Sequence, residues 1–273
     1  MTKTLIALSL AGFIAAVVPA AAQEHDNPQP PRIKWTFAGP FGKFDEGQLQ
    51  RGFKIYREVC ANCHSMELVA FRNLADPGGP GYSAAQAAAV AAEYKIKDVD
   101  DLGQPTERAG RPADHFPAPL PNEAAAKAQY GVAPPDMSTL AKARTYERGF
   151  PWFVFDMITQ YQEQGPDYIA ALLKGYEEPP KDFSLPQGGH YNKYFPGHNI
   201  AIPQPLQAGQ VTFDDGSPTT IDQYAKDISA FLVWAAEPHM MARKRIGFQV
   251  MLFLIVLAGL MYFTKKKVWS ALH

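Results

Sequence analysis

Helical periodicity at both ends of the chain's body, no sustained strand alternation between them, and one long uncharged run near the C-terminus predict a mainly α-helical protein with a single membrane-spanning helix. With 273 residues, 47% of them apolar and 19% charged, and only two cysteines, the sequence excludes a disordered chain, a disulfide-framed miniprotein and a multi-finger zinc protein. The length suits one or two domains, and 24 prolines with 21 glycines predict long irregular loops.

Residues 1–22 read as a secretory signal peptide: Lys3, an apolar run from Leu5 to Val18, then Ala20-Ala21-Ala22 ahead of Gln23. An N-terminal anchor is the competing reading, for which the run is short. Either way residues 23–242 form an exported domain. Near the other end, Ile246 to Phe263 carries no charge and is bracketed by Arg243-Lys244-Arg245 and Lys265-Lys266-Lys267. At about 1.5 Å per residue a helix of this length covers most of a roughly 30 Å hydrocarbon layer, so residues 243–273 are expected to be a transmembrane anchor with a short basic inner tail.

The net charge of −1 hides an uneven distribution. Residues 1–22 hold one lysine and no acid, and residues 243–273 hold six basic residues and no acid, which leaves the body with 19 basic against 27 acidic groups, −8. Such a surface attracts basic soluble partners and repels nucleic acid. Asp98, Asp100 and Asp101 form one acidic cluster that would steer a basic partner, or simply face solvent.

Asp45-Glu46 opens a segment in which Leu49, Gly52, Phe53, Tyr56 and Val59 recur at helical steps, with Gly52 allowing close packing. Ile221, Tyr224, Ile228, Phe231, Leu232 and Ala235 repeat that spacing before Pro238, and these two helices are expected to cross. Between them lie an alanine-rich stretch (Ala84–Tyr94), a proline-rich loop (Gly110–Pro121), helical patterns at Met137–Arg144, Phe150–Gln164 and Tyr168–Lys174, and an irregular run from Tyr176 to Pro205. A structureless run of that length normally counts against a compact domain unless it wraps a cofactor.

Both cysteines fall in Cys60-Ala61-Asn62-Cys63-His64, a C-x-x-C-H heme-attachment match. Two thiols three residues apart can each add to one vinyl group of a single macrocycle, and the adjacent His is then held beneath the iron as an axial ligand. A thiol–disulfide pair would sit at a helix start in a βαβ context, and no strand pattern flanks this motif. A zinc site needs a second ligand pair, and the remaining histidines show no paired spacing. The fold class that follows is a c-type cytochrome heme domain, mainly α, with long wrapping loops and one C-terminal transmembrane helix.

Five stretches in order carry a resemblance that spans essentially the whole chain. They are the approach Phe44–His64, Pro134-Pro135-Asp136, Leu173-Lys174-Gly175-Tyr176, Tyr191-Asn192-Lys193-Tyr194-Phe195-Pro196-Gly197, and Trp234-Ala235-Ala236-Glu237-Pro238 followed by Ala242-Arg243-Lys244-Arg245. Together they resemble the cytochrome c1 family, the heme subunits of ubiquinol–cytochrome c reductase (bc1) complexes. The resemblance implies one covalently attached heme c that takes an electron from a Rieske iron–sulfur protein and passes it to a soluble c-type cytochrome, with cytochrome b as a further partner. It implies a bacterial inner-membrane protein whose heme domain lies on the periplasmic side. By position, Cys60 and Cys63 bind the vinyl groups, His64 is the proximal ligand, and Phe195 and Pro203 line the heme pocket. Lys127 falls, across a one-residue gap, near where the family often has an arginine facing a heme propionate.

One departure matters. Where the family pattern has the methionine that supplies the sixth iron ligand, this chain has Ile202, which has no lone pair to offer. Four assignments stand open: Met137 reaches the iron, His198 swings in to make a bis-His site, the iron is five-coordinate, or the chain is a ligand-deleted variant. Loss of Met ligation lowers the heme potential. The alternative class of function, an autonomous tethered electron carrier, calls for a smaller heme domain and a flexible polar linker ahead of the anchor; here the second helix meets the span directly through Glu237–Arg245.

Overall fold

The computed structural model describes residues 28–270 apart from 147 and 160, so the expected signal peptide, residues 1–22, lies outside the described residues. Helix dominates. The first helix, α1 (Glu46–Glu58), starts where the Asp45 carboxylate accepts the Gln48 N–H at 2.6 Å, with Glu46 adding negative charge to the first turn. Its buried face is Leu49, Gly52, Phe53, Ile55 and Tyr56. The last helix of the body, α7 (Ile221–Ala236), is capped by Thr220 and buries Tyr224, Ile228, Phe231, Leu232 and Trp234.

As expected, α1 and α7 cross. Gly52 makes the crossing close: a Cβ there would lie 2.3 Å from the Asp227 carbonyl oxygen and 2.5 Å from the Phe231 Cβ. Beside it the fully buried Asp227 carboxylate accepts from Arg51 Nε at 2.7 Å, Gln223 Nε2 at 2.9 Å and Gln48 Nε2 at 3.2 Å. Phe53, Tyr56, Phe231, Trp234, Phe71 and Phe116 continue the core as a chain of ring contacts.

The middle of the chain supplies smaller pieces. Helix α2 (Ala84–Ala92) begins with a reciprocal cap between Ser83 and Gln86. Strands β1 (Lys95–Val99) and β2 (Pro105–Ala109) pair antiparallel, an element the periodicity did not predict because both strands are mostly exposed and charged. Helix α3 (Glu123–Tyr130), also not foreseen, runs from the Asn122 cap to Gly131, whose φ of 78° closes it. The pattern at Met137–Arg144 yields only α4 (Leu140–Ala143). The long pattern at Phe150–Gln164 breaks into α5 (Trp152–Thr159) and the start of α6 (Gln164–Lys174), which packs on α7. The run from Tyr176 to Pro205 is irregular as predicted, apart from the two-residue pair β3 (His190–Tyr191) and β4 (Asn199–Ile200).

The final helix, α8 (Met240–Trp269), is 30 residues long with a mean hydropathy of 2.3 over its most apolar window, and none of that window is buried by the body. It is the candidate membrane span. Only Glu237–His239 separate α7 from α8, and Glu237 is ion-paired to Lys142 at 3.0 Å and to Arg243, so the body meets its anchor through a fixed corner.

The α1–α7 contact sets a sign. Gly→Ala in an exposed helix interior gains up to about 1 kcal/mol; here Gly52→Ala must push the helices apart and is expected to cost roughly 1–3 kcal/mol by overpacking. Denaturant unfolding in detergent checks this, and a stabilised variant would contradict the crossing.

Candidate heme site

The cysteine pair lies at the C-terminal end of α1, where Cys60–Asn62 form one 3-10 turn and Cys63 N–H donates to Cys60 O at 3.1 Å. The helix end decides the chemistry. Redox-active C-x-x-C pairs use a helix N-terminus to stabilise a thiolate. Here burial, reinforced by Cys63, pushes the Cys60 thiol up to about 12. No disulfide joins the two cysteines, burial disfavours a Cys60 thiolate, and among the described residues no cluster of three or more His, Cys, Asp or Glu could hold a metal ion.

His64 Nδ1 lies 2.8 Å from the Pro135 carbonyl oxygen. A carbonyl can only accept, so Nδ1 carries the proton and Nε2 keeps its lone pair. Burial lowers the His64 pKa, against the opposing pull of the Pro135 carbonyl and the Asp136 charge, and favours the neutral imidazole. A metal-binding histidine requires this arrangement: one nitrogen fixed by an outer hydrogen bond, the other available.

The segment that supplies Pro135 is bound in turn to the residues after His64. Asp136 Oδ2 accepts from Ser65 Oγ at 2.7 Å and from Glu67 N–H at 2.9 Å, while its Oδ1 accepts Ser138 N–H at 2.8 Å. Burial alone would raise the Asp136 carboxyl, but bonds from Ser138, Glu67 and Ser65 hold it below the ordinary range. Met137 N–H donates to Ser65 O at 2.8 Å, and Leu68 N–H to Ser138 Oγ at 3.0 Å. Tyr130, at the end of α3, donates to the Asn62 carbonyl at 3.2 Å and covers the motif from another side. Asp136 and Tyr130 were not singled out as site residues from the sequence; Asp136 stood in the quoted Pro134-Pro135-Asp136 stretch, and its position next to Pro135 was the available signal.

The resemblance expects a second wall from the 190–206 loop. Asn192, fully buried, donates to Leu172 O at 2.8 Å and accepts Tyr194 N–H at 3.0 Å, and Lys193 N–H donates to Gly175 O at 2.8 Å. The loop thereby hangs from the end of α6. Tyr176 OH donates to Ile202 O at 3.1 Å, so the backbone at the expected ligand position is held independently of its side chain. Phe195 and Ile202 are half-buried and Pro203 is exposed. His198 has φ 56°, its ring stacks on Tyr191 at 5.4 Å, and its Nδ1 faces Asn192 O at 3.2 Å.

Two expected residues stand apart. Met137 is buried in the main core and belongs to the segment that holds His64's own face. Lys127 is exposed on α3 and pairs with Glu123 at 3.4 Å, whereas its neighbour Ala126 is the buried one.

A free thiol pair, a histidine with one nitrogen pinned and the other open, and an apolar helix able to cross a membrane define the class: a membrane-anchored c-type cytochrome. The model of the Cytochrome C1 family matches residues 35–272, and the chain belongs to that family. It is 49% identical to cytochrome c1 of Blastochloris viridis, over 94% of this chain and 92% of that protein, and 40% identical to cytochrome c1 of Rhodospirillum rubrum, over 96% of each. It is also 62% identical, along its whole length, to the cytochrome b/c1 protein of Bradyrhizobium diazoefficiens, of which it spans 40%.

The Asp136 bonds generate a pH signature. Asp136→Ala is expected to cost about 1.5–3 kcal/mol at neutral pH, as a charged acceptor of several bonds does. Because the folded carboxyl is depressed, this contribution is complete above the ordinary value of 3.8 and is lost as pH falls through the folded value. Unfolding of wild type and variant compared at pH 7 and in acid checks it; a difference that persists in acid would assign the loss to packing.

Proposed function

We infer that this chain is the electron-transfer heme subunit of a membrane ubiquinol–cytochrome c oxidoreductase, receiving one electron from a Rieske iron–sulfur subunit and passing it to a soluble basic c-type cytochrome. The observation that carries the reading is the fixed His64 ring beside two free thiols. One covalently attached heme c supplies the one-electron couple when bound. Cys60 and Cys63 hold it through thioether bonds, His64 Nε2 is the proximal ligand, and Phe195 and Pro203 belong to the opposite wall. Lys127 is the residue assigned to the propionate edge, on the strength of α3 lying against the motif through Tyr130.

The body is placed on the periplasmic side of a bacterial inner membrane, joined by α8 to a complex with cytochrome b. The fixed corner at Glu237 supports a built-in subunit rather than a carrier on a tether. An acidic body supports a basic acceptor. The hairpin cluster is a weak part of that surface: Asp98 is ion-paired with Arg108, and Asp100 Oδ1 accepts Leu102 and Gln104 N–H groups in the turn. Steering by the whole body predicts that electron transfer to a basic cytochrome slows steeply with added salt in stopped-flow measurements; a salt-independent rate removes the idea.

For the sixth position, the fold argues against Met137. A sixth ligand approaches from the face opposite His64, and Met137 is bonded into His64's own wall. His198 Nδ1 faces the Asn192 carbonyl as His64 Nδ1 faces that of Pro135, so a bis-His site and an open sixth position both stand, and each lacks a thioether and gives a lower potential than a Met/His pair. Ile202→Met, on a backbone already held by Tyr176, is expected to raise the heme midpoint by more than about 59 mV, a tenfold change in a one-electron equilibrium. Potentiometric titration of the membrane-extracted protein reads this. An unchanged midpoint would mean that another residue, His198 or Met137, already occupies the position.

A further inference from the structure

Helix α5 is built inside out. Trp152, Phe153, Val154, Phe155 and Met157 are exposed, as is Phe150 just before it, while the helix's one charged residue, Asp156, is buried. A water-facing helix shows the reverse. Asp156 pairs with Arg148 and, at 3.0 Å, with Arg32, and the two guanidinium groups lie over the Trp152 and Tyr161 rings at 5.2 and 3.8 Å. Rolling the helix to hide its aromatic face would carry Asp156 out to water and leave the largely buried Arg148 guanidinium without its ion-pair partner, so the exposed face is fixed. An aromatic patch held open in this way marks an interface.

Its place in the fold names the occupant. Just after α5, Gln162, Glu163 and Pro166 line a cavity of about 800 Å³ together with Phe41, Phe248 and Met251. Phe248 and Met251 are in the first turns of the uncharged run, and Phe41, itself exposed, meets the Phe248 ring edge-on at 5.6 Å. The three residues from Thr159 to Gln162 reach at most about 10 Å. The C-terminal end of α5 therefore lies within about 10 Å of the level where α8 leaves the body, and aromatic side chains are the residues that settle at a headgroup–acyl boundary.

We propose that α5 is a membrane-surface contact: it lies in the interfacial layer of the leaflet that α8 enters, with Trp152, Phe153 and Met157 in lipid, and sets the tilt of the heme domain on its anchor. The proposal rests on α8 being the span. The test uses the full-length protein in phosphatidylcholine nanodiscs doped with a phospholipid carrying a photoreactive diazirine high on its acyl chain, with adducts mapped by mass spectrometry. Adducts are expected on Phe150–Met157 and on Ile246–Phe263, well above the yield at Leu102, an exposed apolar residue of the β1–β2 turn that serves as the aqueous reference. Adducts on α8 with none on α5 overturn the proposal and leave the span intact. Adducts on neither overturn the span reading and the proposal with it. Adducts on α5 that vanish in the complex assembled with its partner subunits assign the face to a protein and overturn the lipid assignment.

Discussion

The contact on which the rest of the body depends is the crossing of α1 and α7 over Gly52. The cysteine motif leaves the end of α1, and the 190–206 loop, proposed above as the second wall, is suspended from α6, which packs on α7. The missing side chain at Gly52 sets the helix separation, and the Asp227 carboxylate, sealed by Arg51, Gln48 and Gln223, sets the rotation about it. Burying that carboxylate is tolerable because a guanidinium and two amides donate to it; removing Arg51 would leave an uncompensated charge in the core, a loss of roughly 3–5 kcal/mol. A long loop between the two helices can then stay irregular, because the frame does not depend on it.

The same division explains how the loops are held. The Pro134–Ser138 segment is fixed by one carboxylate, Asp136, that accepts three donors, and this fixes the carbonyl that orients His64. The 190–206 loop is fixed by one amide, Asn192. In each case a single buried or half-buried polar side chain replaces the regular ladder that a helix or strand would supply, which is how a mostly irregular region satisfies its backbone without secondary structure.

What was legible in the sequence follows from which signals are local. The α1 and α7 faces, the close approach at Gly52 and the apolar C-terminal helix are all written in short-range periodicity or composition, and the structure has them where they were expected. The β1–β2 hairpin was not legible because the half-buried positions of β1 are Ile96 and Asp98, only one of them apolar, and Pro105–Ala109 is almost wholly exposed, so the hydrophobic alternation is too short to read. The outward turn of α5 was hidden for a different reason. An apolar stretch reads as core by default, and the charge that turns it outward, Asp156, finds its partners at Arg32 and Arg148, the first of them far away in sequence. The Pro135 carbonyl that orients His64 and the Asn192 anchor are likewise long-range bonds with no periodic trace.

Ile202 shows why fold and potential can separate in this architecture. A methionine ligand to iron would normally be expected to help hold the loop that carries it, and its loss to loosen that loop. Here the Tyr176 hydroxyl holds the Ile202 carbonyl, Ile200 and Leu206 are buried on either side, and Asn192 ties the loop's beginning to α6. None of these contacts uses the side chain at position 202. The loop is therefore held by the protein alone, and on the proposed reading a change of residue at 202 would act on the cofactor's electronic environment with little effect on the frame that presents it.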